Sequence, residues 1–216
     1  MSGPPTLSEL RSLVAARFPA AARKPGRWIP TGVGGLDEAL GGGLPAGKLT
    51  ELVSETPSSG GQLVLSRLLV ATRAARQRIA LIDGADGFAP EAMPADALCH
   101  LVWVRARRLE EALAAADVLV RDGNYAVVVL DLRGIAERVL RRTPAPAWHR
   151  LHRAAESRPA AILVQTPFPL VPAVPWRLSL RAPQGLEQRR RSQETLAAAL
   201  TIGIVRGHAS VEEQAG

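Results

Sequence analysis

Four short apolar runs constrain this chain more than any other feature. LTELV at residues 49–53, RIALID at 78–83, YAVVVLD at 125–131 and AAILVQT at 160–166 each have the length of a strand. YAVVVLD is continuous in β-branched residues, as expected for a strand covered on both faces. HLVWV, residues 100–104, reads as a fifth strand. Segments of helical character lie between them: QLVLSRLLVATRAARQR, then RLEEALAAADVLVRDG stopped by Gly123, then APAWHRLHRAAES. Strands alternating with helices at this spacing imply βαβ units, hence an α/β fold with a mostly parallel sheet flanked by helices. Ligand sites in such sheets lie at the carboxyl ends of the strands. The loops after Val53, Asp83, Val104, Asp131 and Gln165 are therefore expected to share one rim. WRLSLRA and LTIGIVRG read as two more strands, separated by the polar segment PQGLEQRRRSQE.

The 216 residues suit one core with appendages. Hydrophobic residues make up 47% of the chain, but no run approaches the ~18–20 apolar residues of a membrane span. The start, MSGPPTLSEL, lacks the basic-then-apolar pattern of a secretory signal, so a cytoplasmic protein is expected. Cys99 has no partner for an internal disulfide and is expected in a core strand. Near the N-terminus, Thr6 and Glu9 form a capping box, and Leu7, Leu10, Val14 and Phe18 share one face of the helix it starts. AARKPGRWIP, broken by Pro25, Gly26 and Pro30, reads as a linker between that helix and the core.

The stretch TELVSETPSSGGQLVLSRLLV, residues 50–70, is a strand, a small-residue loop and a helix. A phosphate-binding loop in that setting reads G-x-x-x-x-G-K-[ST], its backbone N–H groups and lysine cradling phosphates while the hydroxyl holds Mg²⁺. Ser58, Ser59 and Gly60 keep the small-residue loop, but the lysine and hydroxyl positions read Gly61 and Gln62. Each lost charge-assisted contact removes roughly 1.5–3 kcal/mol. Glu55 adds a charge of the wrong sign, and Lys48 precedes the strand, at its opposite edge. Phosphoryl transfer depends almost wholly on such positioning, so neither a bound nucleotide cofactor nor catalysis is expected.

The order of motifs resembles the RecA family. IPTGVGGLDEALGGGLPAGKLTELV is similar to the entry segment of RecA-type recombinases, IALIDGADGFAPEA to the strand and loop after the phosphate-loop helix, and EEALAAADVLVRDGNYAVVVLD to a later helix and the Walker B strand. The resemblance covers roughly residues 29–166 and implies a RecA-like core over 25–182, an N-terminal interaction helix and linker over 1–24, and a basic C-terminal hairpin or tail over 183–216. It implies that Asp131 stands at the metal-supporting Walker B position and Glu110 at that of the water-activating glutamate. On the residues alone, Asp131 could equally end a strand and Glu110 favour a helix start. A short RecA-like chain with a degenerate phosphate loop is similar to the ImuA family. That resemblance implies a non-catalytic accessory factor in SOS-induced translesion synthesis, contacting ImuB, an error-prone C-family polymerase assembly and RecA at the nucleoid. An active RecA-like ATPase and a SulA-like cell-division inhibitor are the alternatives. The face of Leu7, Leu10, Val14 and Phe18 would dock on a neighbouring RecA-like core, of its own kind or of RecA, or fold back on its own.

A net charge of +7 permits weak, nonspecific DNA contact. The candidates are Arg138, Arg141 and Arg142, read as one helical face after Asp131, and Arg189, Arg190 and Arg191, read equally as a solvated hairpin tip. Arg105, Arg107 and Arg108 would either bind an anion at the rim or pair with Glu110 and Glu111. His149 and His152 are three apart on a helix but lack the further ligands of a metal site, so none is expected. TPFPLVPAVPW, with four prolines, reads as a short, stiff connection where RecA carries a long DNA-gripping loop.

Overall fold

A computed structural model describes residues 27–56, 58–182 and 192–206. A small antiparallel pair, β1 (Trp28–Ile29) and β2 (Leu44–Pro45), encloses helix α1 (Gly34–Leu40) and leads into the main sheet. That sheet comprises β3 (Leu49–Val53), β4 (Ile79–Asp83), β5 (Leu101–Arg105), β6 (Val127–Asp131), β7 (Ala161–Thr166), β8 (Trp176–Arg181) and β9 (Thr201–Arg206). Their spatial order is β5-β4-β6-β7-β3-β8-β9; all pairings are parallel except β8 with β9. The expected α/β architecture is present, and it matches a RecA-like core. Every expected strand is found, with ends displaced by no more than about two residues, the usual uncertainty of such boundaries.

The continuous apolar runs follow from two covered faces. Ile79 and Leu81 of β4, and Val127 and Val129 of β6, join a core beneath α1 and α2 (Gly61–Ala74). Ala80, Ile82, Val128 and Leu130 point the other way, beneath α4 (Leu109–Asp122) and α6 (Ala145–Glu156). All five residues of β3, β4 and β6 are buried, which polar alternation would not allow. Helix α4 is built from strong helix formers and stops at Gly123, whose φ of 77° suits glycine.

Three expectations need correction. Cys99 is exposed, following the one-turn helix α3 (Ala95–Leu98) rather than lying in a strand. Arg138 lies in another one-turn helix, α5 (Glu137–Leu140), which ends before Arg141 and Arg142. Between β8 and β9 stands a helix, α7 (Gln193–Ala198), instead of a plain polar connection. Ser192 caps α7 by accepting the Thr195 N–H, and Gln193 Oε1 accepts from Ser66 of α2 at 2.7 Å. The strand expected in LTIGIVRG, the C-terminal β extension, is β9, the seventh strand of the sheet. Leu7, Leu10, Val14 and Phe18, and Arg189, Arg190 and Arg191, lie outside the described residues. Among the described residues no helix is long and apolar enough to cross a membrane.

Candidate phosphate-binding rim

The strand register assembles the rim. Asp83 at the end of β4 is level with Asp131 of β6, which is level with Gln165 of β7; Val53, the last residue of β3, is level with Thr166. From Val53 the chain passes through the small-residue loop to Gly60, whose φ of 99° favours glycine, and into α2 at Gly61. The loop is wired to itself: Ser59 Oγ accepts the Thr56 N–H at 3.2 Å and lies 2.7 Å from Thr56 Oγ1.

Asp131 does not face an open site. Arg133, two residues on, folds back to it: Nε donates to Oδ1 at 2.9 Å, Nη2 donates to Oδ2, and the Arg133 backbone N–H reaches Oδ1 at 3.2 Å. Both side chains are nearly covered, at 12% and 9% exposure. The guanidinium lies against the start of α2. A Cβ placed on Gly61 would collide with Nη1 and lie 2.6 Å from both Arg133 Cζ and Gln165 Oε1. Gln165 Nε2 donates to the Gly61 carbonyl at 3.4 Å. Gln62 reaches sideways, its Nε2 donating to the Gly87 carbonyl at 2.7 Å. The loop carrying Gly87 is itself gathered by Asp83, whose carboxylate accepts N–H groups from Ala85, Gly87 and Phe88 at 2.9–3.3 Å. Gln62 Oε1 and Gln165 Oε1 are buried without a hydrogen-bond partner among the described residues.

Beneath the rim, Glu51 of β3 is wholly buried and holds the proline-rich connection. Its Oε1 accepts from Thr166 Oγ1, the Leu170 N–H and the Val171 N–H at 2.7–3.1 Å, and its Oε2 accepts from Arg177 Nε. Arg177 also donates to the Val171 carbonyl.

The structure thus brings Ser59, Gly60, Gly61, Gln62 and Asp131 together, with Ser58 in the same loop. Glu110 stands apart: it is exposed in the first turn of α4, on the sheet face opposite α2, beside Val139, Arg142 and Pro144. Arg138, Arg141 and Arg142 are exposed; Arg141 pairs with Glu137 at 2.7 Å and stacks over Phe168 at 4.5 Å. Arg105 sits 5.0 Å over the Trp103 ring and 3.7 Å from Asp86. Arg108 pairs with Glu111, and that contact, helped by the Arg107 N–H, holds the Glu111 carboxyl below its ordinary value. Lys48 lies just before β3, at the amino ends of the strands and so opposite the rim, 2.8 Å from Glu156. Among the described residues no three His, Cys, Asp or Glu side chains converge as metal ligands. Gln165 and Glu51 escape a reading of the sequence because their partners lie distant along the chain, and Arg133 because its place beside Gly61 is made only by the fold. The one visible signal is a cation two residues past Asp131.

No family model matches the chain. It is similar to the protein RecA of Nocardia farcinica, 36% identical over 122 residues, covering 53% of this chain and 34% of that one. RecA of Acidothermus cellulolyticus is 38% identical over 117 residues, covering 51% and 32% respectively. RecA of Frankia alni is 37% identical over 114 residues, covering 50% and 32%. The chain is RecA-like over about half its length and spans about a third of the length of these relatives.

Proposed function

We propose that this protein is a non-catalytic, RecA-like accessory factor of DNA-damage-induced translesion synthesis, of the ImuA kind. It would work at the nucleoid with ImuB and an error-prone C-family polymerase assembly, and contact RecA. Kinship to RecA supports the setting in DNA damage. The non-catalytic role rests on one observation above all, the engagement of Asp131 by Arg133.

A nucleoside triphosphate and its metal ion need a cation over the phosphates, plus a hydroxyl and a carboxylate for the metal. Gly61 and Gln62 supply neither cation nor hydroxyl, and both oxygens of Asp131 are held by Arg133. Of the buried atoms left over at the rim, Gln62 Oε1 and Gln165 Oε1 are acceptors, which repel phosphate oxygens, and Ser54 Oγ is a neutral hydroxyl that supplies no cation. On this reading these residues do not fit the group. Breaking a buried ion pair costs roughly 3–5 kcal/mol. At ~1.4 kcal/mol per decade of affinity, that penalty alone would weaken micromolar binding by about two to three and a half decades, to between roughly 0.1 mM and a few millimolar. Binding energy would come from protein surfaces instead, with exposed cations such as Arg138 and Arg142 adding salt-sensitive contact to DNA.

The deciding experiment is calorimetric titration of Mg-ATP and Mg-ADP into the full chain. No saturable heat at millimolar nucleotide is the expected outcome. Saturation near micromolar would overturn the non-catalytic reading and put a RecA-like ATPase in its place.

A further inference from the structure

We infer that Arg133 is a built-in occupant of the phosphate-loop site, and that Gly61 and Arg133 are a matched pair in which the missing side chain at 61 makes room for the guanidinium. The inference rests on the reading of the rim as a non-catalytic remnant, but its test needs no nucleotide.

Two changes at the rim answer one another. Position 61 lost the lysine of the phosphate loop, and the guanidinium of Arg133 lies where any side chain at 61 would begin. Gly61 has no positive φ, so its backbone does not call for glycine. Position 61 is the first residue of a 14-residue helix, with right-handed backbone geometry that alanine adopts as readily as glycine. What calls for glycine is space: the nearest atoms to a Cβ there are Arg133 Nη1, Arg133 Cζ and Gln165 Oε1.

The guanidinium is fixed rather than merely near. It meets Asp131 side-on through two nitrogens, the planar geometry that arginine has and lysine lacks. That leaves Nη1 turned toward the start of α2, the positive end of the helix dipole. A bare cation would be repelled there; the carboxylate of Asp131 makes the position tenable. In a nucleotide-binding loop, bound anion and metal hold the strand ends and the helix together. Here two side chains make such connections, Gln165 of β7 to Gly61 and Gln62 to the loop after β4, while Arg133, held by Asp131, fills the space between the end of β6 and the start of α2. The rim is tied in one arrangement without a ligand.

A double-mutant cycle tests the match. Gly61→Ala is made in the full natural chain, in an Asp131→Asn/Arg133→Ser background that leaves no charge unpaired, and in a Gln165→Ala background. Urea denaturation reads the midpoint of each. Alone, Gly61→Ala should lower the midpoint, although the backbone there accepts alanine. In the Asp131→Asn/Arg133→Ser background the loss should vanish or reverse. In the Gln165→Ala background it should persist, because the amide of Gln165 can rotate away while the anchored guanidinium cannot. If the double background does not fold, Asp131→Asn alone serves, since it frees the guanidinium to swing out, and the loss should shrink there too. A neutral Gly61→Ala, or a loss of equal size with and without Arg133, would overturn the inference. The cycle reads coupling in the free protein, so a failure here is distinct from a failure of the nucleotide titration.

Discussion

Glu51 illustrates how one side chain can decide the shape of a rim. It is a carboxylate with no exposure, yet each of its oxygens is used, against two backbone amides, a hydroxyl and the guanidinium of Arg177. Removing one member of such a pair leaves the other charge buried, at a cost of about 3–5 kcal/mol. Glu51→Ala is therefore expected to lower the urea midpoint by that equivalent with little change in slope. Glu51→Leu with Arg177→Met should recover a large part of the loss. A Glu51→Ala variant as stable as the parent would show that the clamp contributes nothing. None of this is visible in LTELV, where Glu51 reads as one polar residue in a strand. The sequence announces that position 51 is inside a sheet; only the pairing of β3 with β8, which brings Arg177 level with it, explains how a charge survives there. Arg133 is the same lesson at the rim. Asp131, Gly61 and Gln62 are legible because motif spacing marks them, whereas Arg133 belongs to no motif, and only the fold sets it, two residues past Asp131, against Gly61 some seventy positions earlier.

At the scale of elements, legibility follows burial. Strands β3, β4, β6 and β7 are covered on both faces, so their composition alone delimits them. Helix α7 was obscured by the arginine run before it, although Ser192 and the Ala-rich stretch after it form a sound start and body for a short helix. The histidines give an element-scale prediction. His152 lies on α6 and His100 just before β5, where it meets Thr72 of α2 at 2.8 Å. Burial, the largest cause for each, holds both imidazoles below the ordinary value of 6.5. Below 6.5 the unfolded chain therefore binds protons that the folded chain refuses, and stability rises with pH across that window. The contribution is complete above about pH 6.5 and is lost as the pH falls toward the folded values. Asp96 and Glu111, held below 3.8 and 4.5 by Arg73 and Arg108, lose their contribution only further into acid. Urea midpoints at pH 7.5 and 5.5 (about one unit either side of the histidine value) should fall on acidification, and His100→Gln with His152→Gln should flatten the difference. A midpoint unchanged between the two would contradict the burial of both rings.

For the whole molecule, the sequence resolves what the parts are but leaves open how the molecule meets others. The amphipathic face of Leu7, Leu10, Val14 and Phe18 would supply association with a RecA-like neighbour, and deleting residues 1–24 should abolish it in sedimentation while leaving the core folded by circular dichroism. Association that survives the deletion would move the interface onto the core. The sheet order carries a consequence for how the chain comes into being. Strand β3 is synthesised early, yet its neighbours β7 and β8 occupy residues 161–181. Until those residues leave the ribosome, the middle of the sheet is a gap with two unpaired apolar borders, the kind of surface that chains aggregate through. Such distant pairings also make folding slow. A nascent chain of this topology therefore depends on being shielded until its last strands emerge, and its yield in a cell should respond to chaperone supply and translation speed before it responds to any change at the rim.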